Sequence, residues 1–303
     1  MRDSIKPNLL IIGAMKASTT LLYDMLGRHP KIWFPAEKEP HYFTSPDYGT
    51  PGACEAYLQM FMACPPGKKF IGEASTGYSK SPHLGSTPKR IRETLGQPKL
   101  IYILRDPVAR TISNFQHAFT RGYYHAGYPI SRAVIEDSII IGASLYEHQL
   151  SEYEAEFGVG CVLVLIADEL HQNPARVMGE VERFLGVDSC DGWDRPVEKI
   201  NSASAVRQAT ALHGIMGKSA LIRRVGRHVP RWMKAAVLNI APKPPQASPV
   251  TRVDEDVILA LVADDLKKLH DRLGNRIDCW PSVRKLSSAA GSHGMRVALQ
   301  GSL

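Results

Sequence analysis

Residues 13–20, GAMKASTT, nearly match the phosphate-binding loop of nucleotide kinases. That loop reads G-x-x-x-x-G-K-[ST], and its lysine reaches the β- and γ-phosphates. Gly13 stands at the expected place, but Ser18 replaces the second glycine and Thr19 replaces the lysine. The lysine of this stretch, Lys16, comes three residues early. A cation at that position can lie beside an anionic group, so the stretch predicts an anion site of another kind.

The residues around this loop favour anion binding. An apolar run at 8–13 precedes the loop and helix-forming residues follow it, which is the setting that binds phosphate at a helix N-terminus. The N–H groups of residues 16–20 and the helix dipole would attract an anion, and Thr19 and Thr20 add hydroxyl donors. Taken alone, the stretch also fits an ordinary helix start with Ser18 or Thr19 as N-cap.

A second stretch, ILRDPVARTIS at 103–113, places an arginine at the end of an apolar run. Asp106 suits a helix N-cap and Pro107 suits the first helical position. Arg105 is therefore expected to point into the crevice at the strand end, where its planar guanidinium suits a phosphate. Ser113 follows about two helical turns later.

A third stretch, PAEKEPHYF at 35–43, carries two groups that can accept a proton, Glu39 and His41. In an extended chain, residues two apart face the same side. If the reaction transfers a group to a hydroxyl acceptor, the hydroxyl proton must be removed, and a general base contributes about 10²–10⁴-fold. The residues themselves leave open which of the two is the base. Lys38 beside them could hold an acceptor that is anionic.

Taken in order, these stretches resemble the sulfotransferases that use 3′-phosphoadenosine 5′-phosphosulfate (PAPS). The resemblance is to the branch with the heparan sulfate sulfotransferases and their bacterial relatives. NLLIIGAMKASTTLLYDMLGRHP is similar to the 5′-phosphosulfate loop of that family, K-x-G-T-T followed by L…L…HP. ILRDPVARTIS is similar at every specified position to its 3′-phosphate motif, R-[ND]-P-x-x-R-x-x-S. The resemblance covers roughly residues 8–210.

The resemblance implies a role for each matched residue. The residues implied to bind the donor are Lys16, Ala17, Ser18, Thr19 and Thr20 at the 5′-phosphosulfate, and Arg105, Ser113 and Arg207 near the 3′-phosphate or adenine. Lys16 would also stabilise charge on the transferring group. KEPHYF is similar to the segment with the catalytic glutamate, so Glu39 is assigned as base. His41 is kept as a substrate contact or alternative base, since the cytosolic small-molecule branch uses a histidine.

The sequence departs from the family pattern at two places. Ser18 replaces the glycine of the phosphosulfate loop, which costs on the order of 1 kcal/mol if this position needs a positive φ. Ala74, in FIGEASTGYS, replaces the lysine that in heparan enzymes assists near the sulfuryl group, which counts against a heparan substrate. Glu73 is either an orienting group or a satisfied buried acid. Arg110 is either a helix-surface residue or a ligand.

Alternating apolar runs and helical patterns position these motifs. The predicted strands are 8–13, 69–75, 99–107 and 161–170, and the predicted helices are 19–27, 107–122, 141–157, 175–186 and 254–274. Consecutive apolar residues indicate strands that are covered on both faces. The sequence therefore predicts an α/β, P-loop-like three-layer fold with a central, mostly parallel sheet flanked by helices.

The chain of 303 residues is predicted to form one sulfotransferase domain over 1–283. Within it, about 202–250 is predicted to be a basic helical cap followed by a Pro-rich linker. Small and polar residues at 284–303 predict a disordered tail.

Composition narrows the setting. No apolar run reaches the 18 or more residues of a membrane span, and the apolar N-terminal run is interpreted as a strand, not a signal peptide. Five scattered cysteines without C-x-x-C argue against disulfides and zinc, and favour a reducing cytoplasm. The net charge of +7 fits either solubility or an anionic ligand. No nucleic-acid motif is present.

The resemblance implies a metal-independent sulfotransferase that releases adenosine 3′,5′-bisphosphate (PAP). Its acceptor would be a hydroxyl of a carbohydrate, a glycolipid or a secondary metabolite. The protein itself is expected to have no integral membrane association. A homodimer is left open. One alternative is a P-loop nucleotide kinase, which would lack its lysine. Another is a catalytically impaired PAPS-binding protein, which Ser18 and Ala74 would support.

Overall fold

The computed structural model describes residues 5–80, 86–193 and 248–288. Its centre is a five-stranded sheet in the order β2-β3-β1-β4-β5, and every neighbouring pair of strands is parallel. The strands are β1 Leu9–Gly13, β2 Ile32–Trp33, β3 Phe70–Ala74, β4 Lys99–Leu104 and β5 Val162–Ile166. The predicted fold class is confirmed.

Helices cover both faces of the sheet. They are α1 Thr19–Leu26, α2 Pro51–Gln59, α3 Thr87–Leu95, α4 Pro107–Thr120, α5 Ile130–Glu136, α6 Ser138–Gly142, α7 Tyr146–Phe157, α8 Ala167–Gln172, α9 Pro174–Leu185 and α10 Arg252–Leu273. Short 3₁₀ turns occupy Tyr42–Thr44, Thr76–Ser79 and Gly274–Ile277. Residues 281–288 are also helical, so a helix extends into the range predicted as a tail. None of the helices in these described ranges is long and apolar enough to cross a membrane.

Two predicted elements differ from the structure. The run predicted as a strand over 161–170 ends at Ile166, and α8 begins at the next residue. The acidic Asp168 and Glu169 lie in the first turn of α8, where they favour a helix. The helix predicted over 141–157 is interrupted after Gly142 and begins again at Tyr146 as α7. The predicted cap at 202–250 lies almost wholly outside the described residues.

Alternate residues of the central strands pack on opposite faces of the sheet. Leu10 and Tyr102 pack in the cluster that includes buried residues of α7 and α10. Leu9 and Ile101 pack in the cluster that includes buried residues of α1 and α9. The sheet is therefore the middle of three layers, as expected for strands that are apolar on consecutive positions.

The register of the sheet brings three strand ends together. Ile11 of β1 pairs with Ala74 at the end of β3, and Gly13 pairs with Tyr102 of β4. Because parallel strands end at the same edge, the loops after β1, β3 and β4 meet there. Ligands of open α/β sheets bind at this edge.

Candidate active site

The loop after β1 has an unusual backbone. Lys16 and Ser18 adopt left-handed conformations, with φ of 71° and 68°. The Ala17 N–H donates to the Ala14 carbonyl at 3.1 Å, and the Ala14 N–H donates to Ile103 of β4 at 2.8 Å. A left-handed residue other than glycine costs about 1 kcal/mol. Ser18 therefore carries the cost expected for replacing the family glycine, since its position has a positive φ.

Gly13 fits where a side chain would not. A Cβ atom at this residue would lie 2.0 Å from Oγ of Ser79, and the backbone φ is +151°. Ser79 belongs to the 3₁₀ turn that follows β3. The glycine therefore lets the β1 and β3 loops pack directly against each other at the sheet edge.

The start of α1 carries polar side chains with partners from other segments. Oγ of Ser18 lies 2.8 Å from Nε2 of His171 on α8. Nζ of Lys38 donates to Oγ1 of Thr20 at 3.1 Å and to Oγ1 of Thr19 at 3.3 Å. His171 was not predicted at the site, because only the fold brings α8 to this loop.

Glu39 lies at the centre of a small cluster of polar groups. One carboxylate oxygen, Oε1, lies 3.5 Å from Nζ of Lys38 and 3.4 Å from the Thr76 hydroxyl. The other, Oε2, lies 3.4 Å from Nε2 of His41. The Glu39 N–H donates to the Ala74 carbonyl at 3.0 Å, which ties the segment to the end of β3.

The charges around Glu39 set its protonation. Burial acts to raise the pKa of Glu39, but hydrogen bonding to His41 and the positive charge of Lys38 outweigh it and hold the pKa at about 2. The carboxylate is therefore ionised at neutral pH. Glu39 and His41 have φ of 64° and 53°, so the extended geometry predicted for this segment is wrong. Their side chains nevertheless meet.

The buried acid Glu73 is linked by hydrogen bonds to the segment that carries Glu39 and His41. The Tyr57 hydroxyl donates to Glu73 at 2.5 Å and the Ser75 hydroxyl donates to Glu73 at 2.9 Å. The Ser75 oxygen in turn accepts the His41 N–H at 3.2 Å. Burial raises the pKa of Glu73. Glu73 is a buried acid with hydrogen-bond partners, and through Ser75 it is linked to the base segment, so both roles considered for it stay open.

Arg105 follows β4 and lies beside the loop of β1. Its Nη1 donates to the carbonyl oxygen of Lys16 at 3.4 Å, and its own carbonyl accepts from the Tyr146 hydroxyl at 2.7 Å. Asp106 caps α4 through the Ala109 N–H at 2.9 Å, as expected. The Arg105 guanidinium therefore lies beside the loop that carries Lys16.

The remaining residues of the arginine motif are placed by α4. Ser113 is half-buried on this helix. Arg110 is fully buried. Its Nε donates to Ser144 at 2.5 Å and its Nη2 donates to the Ile140 carbonyl. Arg110 ties α4 to α6 and the turn after it, so neither role considered for it, surface residue or ligand, describes it. Arg207 lies outside the described residues.

Positive charges gather around the crevice. Burial lowers the pKa of Lys16, and the charges of Arg105 and Arg121 lower it further, while Glu39 acts in the opposite direction. Neighbouring cations disfavour the charged form of a lysine, so the lowered pKa of Lys16 indicates that Arg105 and Arg121 lie close to it. An anion entering the crevice would relieve this repulsion.

Two more basic groups belong to this cluster. Burial lowers the pKa of Lys80, and Arg110 adds to the effect. Burial also lowers the pKa of His117 to about 4, with Lys16 and Arg121 acting in the same direction. Neither Lys80 nor His117 was predicted. A signal for His117 existed, because it comes four residues after Ser113 and such positions share a helix face.

The described ranges contain no group of three His, Cys, Asp or Glu side chains arranged to hold a metal ion. The residues of the site offer the carboxylate of Glu39, which can accept a proton, together with a β1 loop suited to an anion and a guanidinium beside that loop.

A comparison with protein-family models matches residues 6–208 to the sulfotransferase domain family. The match spans more than half of the chain, and it includes the β1 loop, the base segment and the arginine motif. The chain belongs to this family. The resemblance noted in the sequence is confirmed at the level of the family.

Individual relatives agree. The chain is 40% identical over 111 residues to the membrane-associated sulfotransferase kil1 of Dictyostelium discoideum, a match that covers 36% of this chain. It is 30% identical over 203 residues to the mouse bifunctional heparan sulfate N-deacetylase/N-sulfotransferase 4, covering 60% of this chain. Each match spans 22% of the relative's own length.

A solved structure shows the same fold. The sulfotransferase from Alicyclobacillus acidocaldarius superposes with a TM-score of 0.53 at 25% identity. The superposition covers 72% of this chain and 99% of that one. The central parallel sheet with its flanking helices is thus a sulfotransferase architecture.

Proposed function

We propose that this protein transfers the sulfuryl group of PAPS to a hydroxyl acceptor, with Glu39 as the general base. The observation that carries the proposal is the meeting of the β1 loop, Arg105 and Glu39 at one edge of the sheet. Arg105 contacts the Lys16 carbonyl, and Lys38 joins Glu39 to Thr19 and Thr20. A cation in a phosphate loop, a guanidinium beside it and an ionised carboxylate are the groups that this reaction needs.

The residues present fit the donor. The loop after β1 offers Lys16, the backbone N–H groups at the start of α1, and the hydroxyls of Thr19 and Thr20 to a phosphosulfate, whereas the Ala17 N–H donates to the Ala14 carbonyl. Arg105 and Ser113 offer a guanidinium and a hydroxyl to the 3′-phosphate. The contact between Arg105 and the Lys16 carbonyl supports one nucleotide bound across both loops. Bound PAPS supplies an activated sulfuryl group on a phosphate leaving group.

The chain's own residues supply acid–base and electrostatic help. Glu39 accepts the proton of the acceptor hydroxyl while the hydroxyl oxygen forms its bond to sulfur. Lys16 stabilises the negative charge that the phosphate oxygen gains when its bond to sulfur breaks. The products are the sulfate ester and PAP, and no electrons are gained or lost. His41, 3.4 Å from Glu39, orients the base and is the alternative proton acceptor.

The acceptor is proposed to be a carbohydrate, a glycolipid or a secondary metabolite. Relatives named for heparan sulfate support a carbohydrate, at 30% identity over 203 residues in one case. Ala74 distinguishes this chain from the lysine-bearing heparan pattern. A cytoplasmic setting is proposed because all five cysteines are free.

The proposal is tested by incubating the purified protein with ³⁵S-labelled PAPS and an extract of its host, and identifying the labelled product. Label is expected in a sulfate ester, and a Glu39→Gln variant serves as the matched control. Donor binding without labelled product from any acceptor would support the catalytically impaired alternative. Mg²⁺-dependent ATP turnover instead of sulfuryl transfer would support a kinase.

A further inference from the structure

Lys38 lies between the donor loop and the base. Its ammonium Nζ is 3.1 Å from the Thr20 hydroxyl, 3.3 Å from the Thr19 hydroxyl and 3.5 Å from Oε1 of Glu39. The side chain is only 19% exposed. A single cation thus contacts both parts of the site, the one that binds the donor and the one that accepts the proton.

The partners of Lys38 leave its charge only partly balanced. Among the described residues, Glu39 is the carboxylate within ion-pair distance of it, and that carboxylate is shared with His41. Asp24 of α1 acts on Lys38 only at longer range. The two threonines are neutral, and hydroxyls bind a cation less strongly than an anion would. Burial lowers the pKa of Lys38, so its charged form gains from an anion placed beside it.

We propose that Lys38 is a donor-binding residue, whose ammonium binds the sulfuryl oxygens beside Thr19 and Thr20 and thereby leaves the carboxylate of Glu39. The inference rests on the proposed function, since it concerns the same PAPS site. The three oxygens that Nζ contacts lie within 3.5 Å of it, so a change of partner needs only a small movement of the lysine side chain. Lys38 itself transfers no proton.

The proposal links donor binding to the strength of the base. The charged groups that act on Glu39 come from four places in the fold: Lys38 and His41 from its own segment, Lys16 from the β1 loop, Lys80 from just after the 3₁₀ turn, and His117 from α4. When Lys38 binds a sulfuryl oxygen, it leaves Glu39, and the carboxylate loses one of the cations that favour its ionised form. Glu39 then accepts a proton more readily, and it does so only with the donor in place.

The test compares PAPS with PAP, which differ by the sulfuryl group. Both nucleotides are titrated by calorimetry into wild type, Lys38→Gln and Lys38→Arg without acceptor. Losing a charge-assisted hydrogen bond is expected to weaken PAPS binding about 10- to 100-fold in Lys38→Gln, and PAP binding far less. Lys38→Arg keeps the positive charge and should recover part of the preference. Lys89→Gln, an exposed lysine paired with Glu93 on α3, is the matched control.

Equal losses for both nucleotides, or no loss for either, would overturn the role of Lys38 while leaving the PAPS site intact. Wild-type protein that binds neither nucleotide would overturn the proposed function, and the role of Lys38 with it. Should Lys38→Gln fail to fold by circular dichroism, Lys38→Met, which keeps a long side chain without its charge, takes its place. A ratio of PAPS to PAP affinity equal to that of wild type in this variant then contradicts the proposal.

Discussion

The two sides of the crevice are built by different means. On the donor side, Lys16 and Arg105 are placed by backbone, because each follows a central strand and neighbours a helix start. On the base side, Glu39 has a left-handed backbone as Lys16 does, but it lies in an irregular segment and is placed by contacts with other segments. The donor side is therefore a property of the fold, and the base side is a property of particular side chains.

The difference has a consequence for function. Strand ends and helix starts hold the β1 loop and Arg105 in place, whereas the base segment depends on a chain of hydrogen bonds from buried Glu73 through Ser75 to His41. Substitutions on the donor side should therefore act mainly on binding, and substitutions on the base side mainly on turnover. Four predictions test this division, from the largest expected effect to the smallest.

Glu39→Gln should lower turnover by about 10²–10⁴-fold, because the amide cannot accept the hydroxyl proton. Binding of PAP should be unchanged, since Glu39 lies on the base side. The measurements are sulfuryl transfer from labelled PAPS and calorimetric titration with PAP. Full activity in the variant would give the base role to His41, and a large loss of PAP affinity would break the division between the two sides.

Arg105→Ala should weaken PAP binding by about 10- to 100-fold, because a charge-assisted bond to the 3′-phosphate is lost. The rise in melting temperature that PAP gives wild type should be absent at the same ligand concentration. Lys89→Ala is the control for a lost surface cation. A normal thermal shift in Arg105→Ala would remove this residue from the donor site.

Gly13→Ala should destabilise the fold by about 1–3 kcal/mol, because the new methyl group would overlap Oγ of Ser79. Urea unfolding measures the effect. Adding Ser79→Ala should recover part of the loss, since it removes the overlapping hydroxyl. Stability equal to wild type in the single variant would show that packing against Ser79 does not hold the donor loop in place.

The donor side was predictable from the sequence because its signals are local. Apolar runs that end at Gly13 and before Arg105 predict strand ends, and the register of parallel strands then brings the two loops together. Asp106 and Pro107 marked the start of α4 by their chemistry alone. The resemblance to the sulfotransferases depended on these same short motifs.

Other features were not predictable, because they depend on contacts between distant residues. His171 lies at hydrogen-bond distance from Ser18 although 153 positions separate them in the sequence. Arg110 donates a hydrogen bond to Ser144, which is 34 positions away in the sequence. An extended chain was assumed for the segment with Glu39. Its left-handed residues, Glu39 and His41, donate backbone hydrogen bonds to Ala74 and Ser75. Local sequence propensity cannot predict these contacts, because the partners are distant in the sequence.

The smallest effect concerns stability at acidic pH. The folded pKa of Glu39, about 2, lies below the ordinary glutamate value of 4.5 despite burial, because His41 and Lys38 favour the carboxylate. The unfolded chain therefore takes up this proton first, and the carboxylate contributes stability above pH 4.5 that is lost as the pH falls towards 2. The difference in unfolding free energy between wild type and Glu39→Gln should shrink between about pH 6 and about pH 3. A difference that stays constant over this range would mean that Lys38 and His41 do not hold the carboxylate, and that the base side is as independent of its contacts as the donor side.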